Sequence, residues 1–222
     1  MDAPTVPCQI ELAGQQLELL PERALWWPAQ AALFIADLHL GKAAAFRALG
    51  QPVPSGTTQE NLERLDRLID DHGPRQLVFL GDFLHAPQSR TPSLLAEVEA
   101  WRARHAGLAC TLVRGNHDHG AGDPPASLGM SMVDEPHIMG PFAACHHPQV
   151  HPTHFVLAGH FHPACTLYGK GRDKLRMPCF VRENAQLILP AFGEFTGGWH
   201  VDSAPGRRLY GVGGQAVWAV PA

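Results

Sequence analysis

Short apolar runs along this chain repeatedly stop at residues that can offer a lone pair. Leu77 to Leu80 runs into Gly81-Asp82, and Leu33 to Ala36 runs into Asp37-Leu-His39. Cys110-Thr-Leu-Val precedes Gly115-Asn116-His117-Asp118, Phe142-Ala-Ala-Cys precedes His146-His147, and Phe155-Val-Leu-Ala precedes Gly159-His160-Phe-His162. Runs of about four apolar residues without alternation mark strands buried on both faces. Five strand ends are thus expected to present oxygen or nitrogen donors, with Asp82 at their centre.

Helical spacing fills the gaps between the first three runs. Lys42 to Leu49 reads as a short helix stopped by Gly50 and Pro52. Thr57-x-x-Glu60 has the form of a capping box, and Leu62, Leu65, Leu68 and Ile69 mark one stripe until Gly73-Pro74. Thr91-Pro92 starts a helix through Leu94, Leu95, Val98 and Trp101 to about Gly107. Strand, helix, strand, helix, strand implies a parallel sheet covered on both faces. Before it, the loose alternation from Cys8 to Trp27, with Gly14 as a turn and Pro21 as punctuation, predicts a β-hairpin, and Trp26-Trp27 reads as core.

After a loop rich in Gly, Pro and Ser from Gly120 to Glu135, the runs become short and β-like, so this half predicts a second sheet. Leu209 to Val220 predicts two closing strands around Gly213-Gly214. Lys170, Arg172, Lys174 and Arg176 fall on alternate positions and, if extended, share one face. Such a strip suits either a nucleic-acid backbone or a solvated edge strand whose cations discourage pairing.

At 222 residues, 45% of them hydrophobic, the chain is expected to be one domain spanning 1–222 with a substantial core. No basic and apolar leader and no apolar run near 20 residues is present, which predicts a soluble cytoplasmic protein without a membrane span. The five cysteines are scattered and never spaced C-x-x-C, so reduced, mostly buried thiols are expected. A net charge of -4 excludes bulk, charge-driven coating of nucleic acid but not a local basic strip. Nothing in the pattern sets the oligomeric state. Of 14 histidines, nine lie between His117 and His162, a density that turns attention to metal chemistry.

Taken singly, each strand-end motif has an ordinary reading: a surface aspartate with a capping histidine, a turn asparagine, a hydrogen-bonded core histidine. Together they differ. Asp37-x-His39 and His160-x-His162 each place two donors on one side of an extended segment. Small residues before Asp82 and Asn116 let the backbone turn where a strand ends. The Asn116 carbonyl adds a bond without charge, and His146 arrives from the preceding strand. Two carboxylates, one amide and four histidines make seven ligands, the number for two metals sharing Asp82. Two adjacent cations stabilise attacking and leaving oxygens at phosphorus and lower the pKa of water, so the reaction class is phosphoester hydrolysis. His117, pointing away from the ligands if extended, is the candidate proton donor, with Asp118 to orient it and keep it protonated. His85 reads equally as a substrate or supporting group and as a loop histidine.

D-x-H, G-D, G-N-H-D, a lone His and G-H-x-H, in that order, resemble the calcineurin-like metallophosphoesterase superfamily. Asp37-Leu-His-Leu-Gly-Lys42, Gly81-Asp-Phe-Leu-His85, Arg172 to Phe180 and Leu189-Pro-Ala-Phe-Gly-Glu-Phe-Thr-Gly-Gly198 are similar to the bacterial ligase-associated DNA-damage-response phosphoesterases called PdeM. The similarity spans roughly residues 30 to 200. The resemblance implies an α/β fold, a four-layer αββα sandwich of two mixed sheets flanked by helices. It implies Asp37, His39 and His162 on one metal, Asn116, His146 and His160 on the other, and Asp82 bridging. His146 is preferred to His147 because the family's lone histidine sits two residues before a proline, here Pro148. His85 departs from most of the superfamily, which has an acid or amide there, but fits the PdeM group. Lys42, His85, Arg172 and Lys174 would face substrate. Manganese is the first expectation, with iron or zinc as alternatives, and DNA, a DNA ligase and a helicase are the implied partners. The runner-up activities are a phosphatase or small-molecule nucleotide phosphodiesterase, and a metal-binding scaffold without catalysis.

Overall fold

In the computed structural model, residues 5–48, 50–53, 56–170 and 172–221 are described. The N-terminal alternation folds as three antiparallel strands, β1 (Cys8–Leu12), β2 (Gln15–Leu20) and β3 (Ala24–Trp27), one more than a hairpin. Trp26 and Trp27 are buried in it. β3 pairs antiparallel with β4 (Ala32–Ile35), after which β5 (Gln76–Leu80), β6 (Ala109–Val113) and β7 (Ser131–Val133) continue in parallel. The crossovers carry α1 (Lys42–Ala48), α2 (Thr57–His72), α3 (Pro92–Arg104) and α4 (Asn116–Ala121). The expected end of the first helix at Leu49 lies outside the described residues.

Leu62, Leu65 and Leu68 of α2 and Leu94, Val98 and Trp101 of α3 bury one stripe each against Leu33, Ile35, Leu77 and Phe79 of the first sheet. Thr91 caps α3 as its sequence implies, its Oγ1 accepting from the Leu94 N–H at 3.2 Å. The capping box at Thr57 does not form. Gly56, at φ 87°, takes the cap position and Thr57 is already helical, so no side chain caps α2.

The second sheet comprises β8 (His137–Met139), β9 (Phe142–Ala144), β10 (Phe155–Ala158), β11 (Pro163–Tyr168), β12 (Lys174–Glu183), β13 (Gln186–Ile188), β14 (Trp199–His200), β15 (Arg207–Gly213) and β16 (Ala216–Ala219). Its order is β14-β11-β12-β13-β10-β9-β8, with β15 on β12 and β16 closing on β15 around Gly213-Gly214. Between the sheets, Leu25, Phe34 and Val78 meet Phe142, Leu157 and Phe180. Each such side chain contributes about 1.5–3 kcal/mol by leaving water. The chain thus adopts the expected α/β arrangement of two mixed sheets, and among the described residues every α-helix lies between Lys42 and Ala121. None of those helices is long and apolar enough to cross a membrane.

Two segments depart from the pattern. The expected loop from Gly120 to Glu135 contains the end of α4 and the edge strand β7, which pairs with β6. The four alternate cations do not share one extended face. Only Lys174 and Arg176 lie on β12, while Lys170 and Arg172 sit in the turn from β11, where the Gly169 N–H donates to the Asp173 carbonyl at 2.9 Å. Tight turning there outweighs the period-two pattern.

Candidate metal centre

The donors gather where parallel strands end. Asp37 and His39 follow β4, Asp82 follows β5, Asn116 opens α4 after β6, His146 follows β9, and His160 and His162 follow β10. Asp37, His39, Asp82, His160 and His162 all have φ between 48° and 72°, a left-handed region that non-glycine residues seldom occupy. That bend turns each side chain out of its strand line into one crevice. Crowding explains the glycines. A Cβ on Gly81 would lie 2.1 Å from His146 Nδ1, and one on Gly115 would lie 2.4 Å from Asp82 Oδ1.

Asp82 sits at the middle. Its Oδ2 is 3.7 Å from His39 Nε2, and its Oδ1 is 3.5 Å from His146 Nε2. On one side, His39 Nε2 and His162 Nε2 are 3.2 Å apart, and His162 Nε2 is 3.4 Å from Asp37 Oδ1. On the other, His146 Nε2 lies 2.8 Å from Asn116 Oδ1 and 3.0 Å from His160 Nδ1. The structure therefore brings together all seven sequence-derived candidates.

Backbone carbonyls aim the rings. His146 Nδ1–H donates to the Leu80 carbonyl (3.0 Å), His162 Nδ1–H to the Thr196 carbonyl (3.2 Å), and His117 Nδ1–H to the His85 carbonyl (2.6 Å), which leaves each Nε2 facing the crevice. His117 is on α4, so the extended geometry assumed for it does not hold. Its Nε2 is 3.9 Å from Asp82 Oδ2, on the same side as the candidate ligands. Asp118 does not orient that ring. Its oxygens accept the N–H groups of Asp82 (2.8 Å), Phe83 (2.9 Å) and Gly115 (2.9 Å), so it shapes the loop that carries Asp82. The His85 ring stacks on His117 at 5.0 Å and lies 5.4 Å from His39, placing it at the rim. Lys42 Nζ donates to the Thr196 carbonyl at 3.3 Å. Arg172 and Lys174 are exposed on the β11–β12 hairpin, where Lys174 Nζ lies 5.6 Å from the Tyr168 ring centre.

Sequence reasoning missed two supports. Glu135 accepts the N–H groups of His146 (2.7 Å) and His147 (2.9 Å) and the His147 ring (2.7 Å). The segment 189–198, noted only as a motif, crosses from the second sheet to the first: Phe192 N–H donates to the Ala36 carbonyl at 2.7 Å and Gly193 N–H to the Asp37 carbonyl at 3.1 Å. Glu194 ties it down through ion pairs with Arg23 and Arg64. Glu135 offered no motif, and the motif at 189–198 did not reveal its partners, which are main-chain atoms or residues far along the chain.

Burial, then the cation of Lys42 and the neighbouring imidazoles, push His39 far below the usual histidine range, so it stays neutral with a lone pair to donate. Burial raises the Asp82 carboxyl, and burial together with Lys42 and His117 lowers His85 to about 4. Asp37 Oδ1 is buried and accepts no hydrogen bond, which is costly for a carboxylate oxygen unless a cation meets it. That orphan oxygen and a set of oxygen and imidazole donors around a shared carboxylate fit divalent metal.

The calcineurin-like phosphoesterase family model matches residues 32–151, more than half of the chain. A nuclease, MPE of Pseudomonas putida, is 52% identical in its crystal structure, with a TM-score of 0.85, covering 96% of this chain and 100% of that one. Yfce, a phosphoesterase from E. coli, is 15% identical with a TM-score of 0.44, covering 85% of this chain and 97% of that one, too low a likeness to carry an argument. No curated protein matches. On the family match and the 52% identical structure together, this chain belongs to the calcineurin-like phosphoesterase family.

Proposed function

We propose that this phosphoesterase is a two-metal phosphodiesterase that cuts nucleic-acid strands, DNA first among them. The observation that carries the reading is the convergence of six other donors around Asp82, supported by the 52% identity to a nuclease over nearly the whole chain. Asp37, His39 and His162 would hold one cation and Asn116, His146 and His160 the other, with Asp82 between them. When bound, the pair supplies positive charge at the phosphoryl oxygens and a water acidic enough to attack at neutral pH.

The chain's own groups do the rest. His117 has Nδ1–H anchored on the His85 carbonyl, so in its protonated form Nε2–H is the proton available to the leaving oxygen. Asp118 keeps the Asp82 loop closed around the crevice by accepting its main-chain N–H groups. Lys42 and His85 line the same rim and contact the substrate's non-bridging oxygens. Manganese as the resident metal, a cytoplasmic setting, a role in DNA repair, and a DNA ligase and helicase as companions follow from the PdeM resemblance and form part of the proposal.

A panel of aryl monoester, aryl diester, cyclic nucleotides and DNA, each with added Mn²⁺, tests it. Oligonucleotide and aryl diester cleavage are expected. Monoester hydrolysis alone would make the chain a phosphatase, cyclic-nucleotide hydrolysis alone a small-molecule enzyme, and bound metal without turnover a scaffold.

A further inference from the structure

A cleft of about 230 Å³ opens beside the ligand His162, between β11, β12 and the segment 196–198. One water occupies roughly 30 Å³ in the liquid, so the space admits a group much larger than a single solvent molecule. Two guanidinium groups reach it, Arg23 and Arg176, and no carboxylate lines it among the described residues. The two cations differ. Arg23 is committed to Glu194 and to the Ala191 carbonyl. Arg176 is exposed, and among the described residues its side chain hydrogen-bonds only the Gly198 carbonyl, leaving its charge without an acidic partner.

The wall opposite Arg176 is the Gly198 main chain, whose carbonyl accepts from the guanidinium. A Cβ on Gly198 would lie 3.0 Å from Ala164 Cβ and 3.3 Å from the His162 carbonyl, so the close approach of this segment to β11 favours a glycine. The other three cations of the alternating set do not line this cleft: Lys170 and Arg172 are in the hairpin turn, and Lys174 lies over Tyr168. A planar fork with several unused N–H groups suits a phosphate better than a lysine would.

We propose that this cleft is a subsite for the phosphodiester neighbouring the scissile one, with Arg176 as the residue that receives it. The assignment rests on the nucleic-acid reading above, because only a substrate with consecutive phosphates would fill both positions. It gives the alternating cations a different role from a four-residue strip: one arginine, beside the metal ligands, holds the strand.

The test is calorimetric titration of the Mn²⁺-loaded protein with thymidine 3′,5′-bisphosphate, thymidine 5′-monophosphate and thymidine 3′-monophosphate. The wild type is expected to bind the bisphosphate about tenfold more tightly than either monophosphate, the scale of one charge-assisted contact. Arg176→Gln should bring that ratio close to one, and Arg176→Lys should leave it intermediate. A wild type without the preference, or an Arg176→Gln variant that keeps it, overturns the subsite. Because the readout is binding, it stands apart from failure of the nucleic-acid reading, which would show as intact oligonucleotides beside a hydrolysed aryl diester.

Discussion

The two sides of Asp82 are built from different depths of the molecule. Asp37 and His39 are at most 3% exposed and His162 is half-buried, so the donors on that side are mostly shielded from solvent. On the other side His146 is fully buried, but Asn116 is exposed and His160 half-buried. The supports differ as well. His162 leans on the Thr196 carbonyl, held by the Glu194 clasp, whereas His146 and its neighbour lean on the Glu135 carboxylate. One pocket is therefore supported by a long segment that ion pairs tie down, the other by the Leu80 carbonyl and a single carboxylate at the edge. A desolvated set of anionic and imidazole donors favours a retained cation, and an open one favours exchange and contact with substrate.

Asp82→Asn is the change that should erase the contrast. It removes charge from the carboxylate both sides share, so metal analysis should fall from two ions per chain to one or fewer. Turnover should drop by more than the 10–100-fold typical of losing an outer support. A wild type saturated with Mn²⁺ that holds a single tight metal would refute the paired arrangement.

His117→Ala should leave both metals in place and lower turnover by about 10²–10⁴-fold, the span of a lost general acid. The loss should shrink for p-nitrophenyl leaving groups relative to alkyl ones. Equal losses on both would remove His117 as the donor.

Glu135→Gln separates the two pockets. It should weaken one of the two metals by about 10–100-fold, with the other retained, in a stepwise chelator titration. Weakening of both together, or of neither, would show that the edge carboxylate does not discriminate between them.

The smallest expected effect is at the Glu194 clasp. Burial alone would raise this carboxyl, but Arg23 and Arg64 outweigh it and hold it below its ordinary value of 4.5. The folded state then binds fewer protons than the unfolded one, so the contribution is present above about pH 4.5 and is lost as pH falls through the lowered folded value. Metal-free Glu194→Gln should have a lower Tm than wild type at pH 6, with the gap closing towards pH 3. A gap independent of pH would mean that the clasp acts by shape alone.

Much of this was legible in the chain because parallel strands buried on both faces leave uninterrupted apolar runs, and each candidate ligand stands at the end of one. Thr91-Pro92 and the leucine stripe of α2 were equally readable, since caps and faces are local. What failed was local pattern overridden by neighbours. Gly56 displaced the capping box, α4 began at Asn116 itself, and a turn at Gly169 to Asp173 broke the cation strip. The role of Asp118 was misread because, beside the local Gly115 N–H, its partners are main-chain N–H groups 34 to 36 residues away, which no side-chain motif reveals. The contacts made by Glu135 and by the Thr196 carbonyl were hidden for the same reason.

The left-handed φ values at five of the seven candidate ligands bear on how a cation would arrive. Backbone held in that region costs about 1–3 kcal/mol per residue, and here the surrounding sheets sustain it. The donors are thus preorganised: the entropy of arranging them is surrendered when the polypeptide folds, and little of a cation's affinity is spent on ordering the site that receives it.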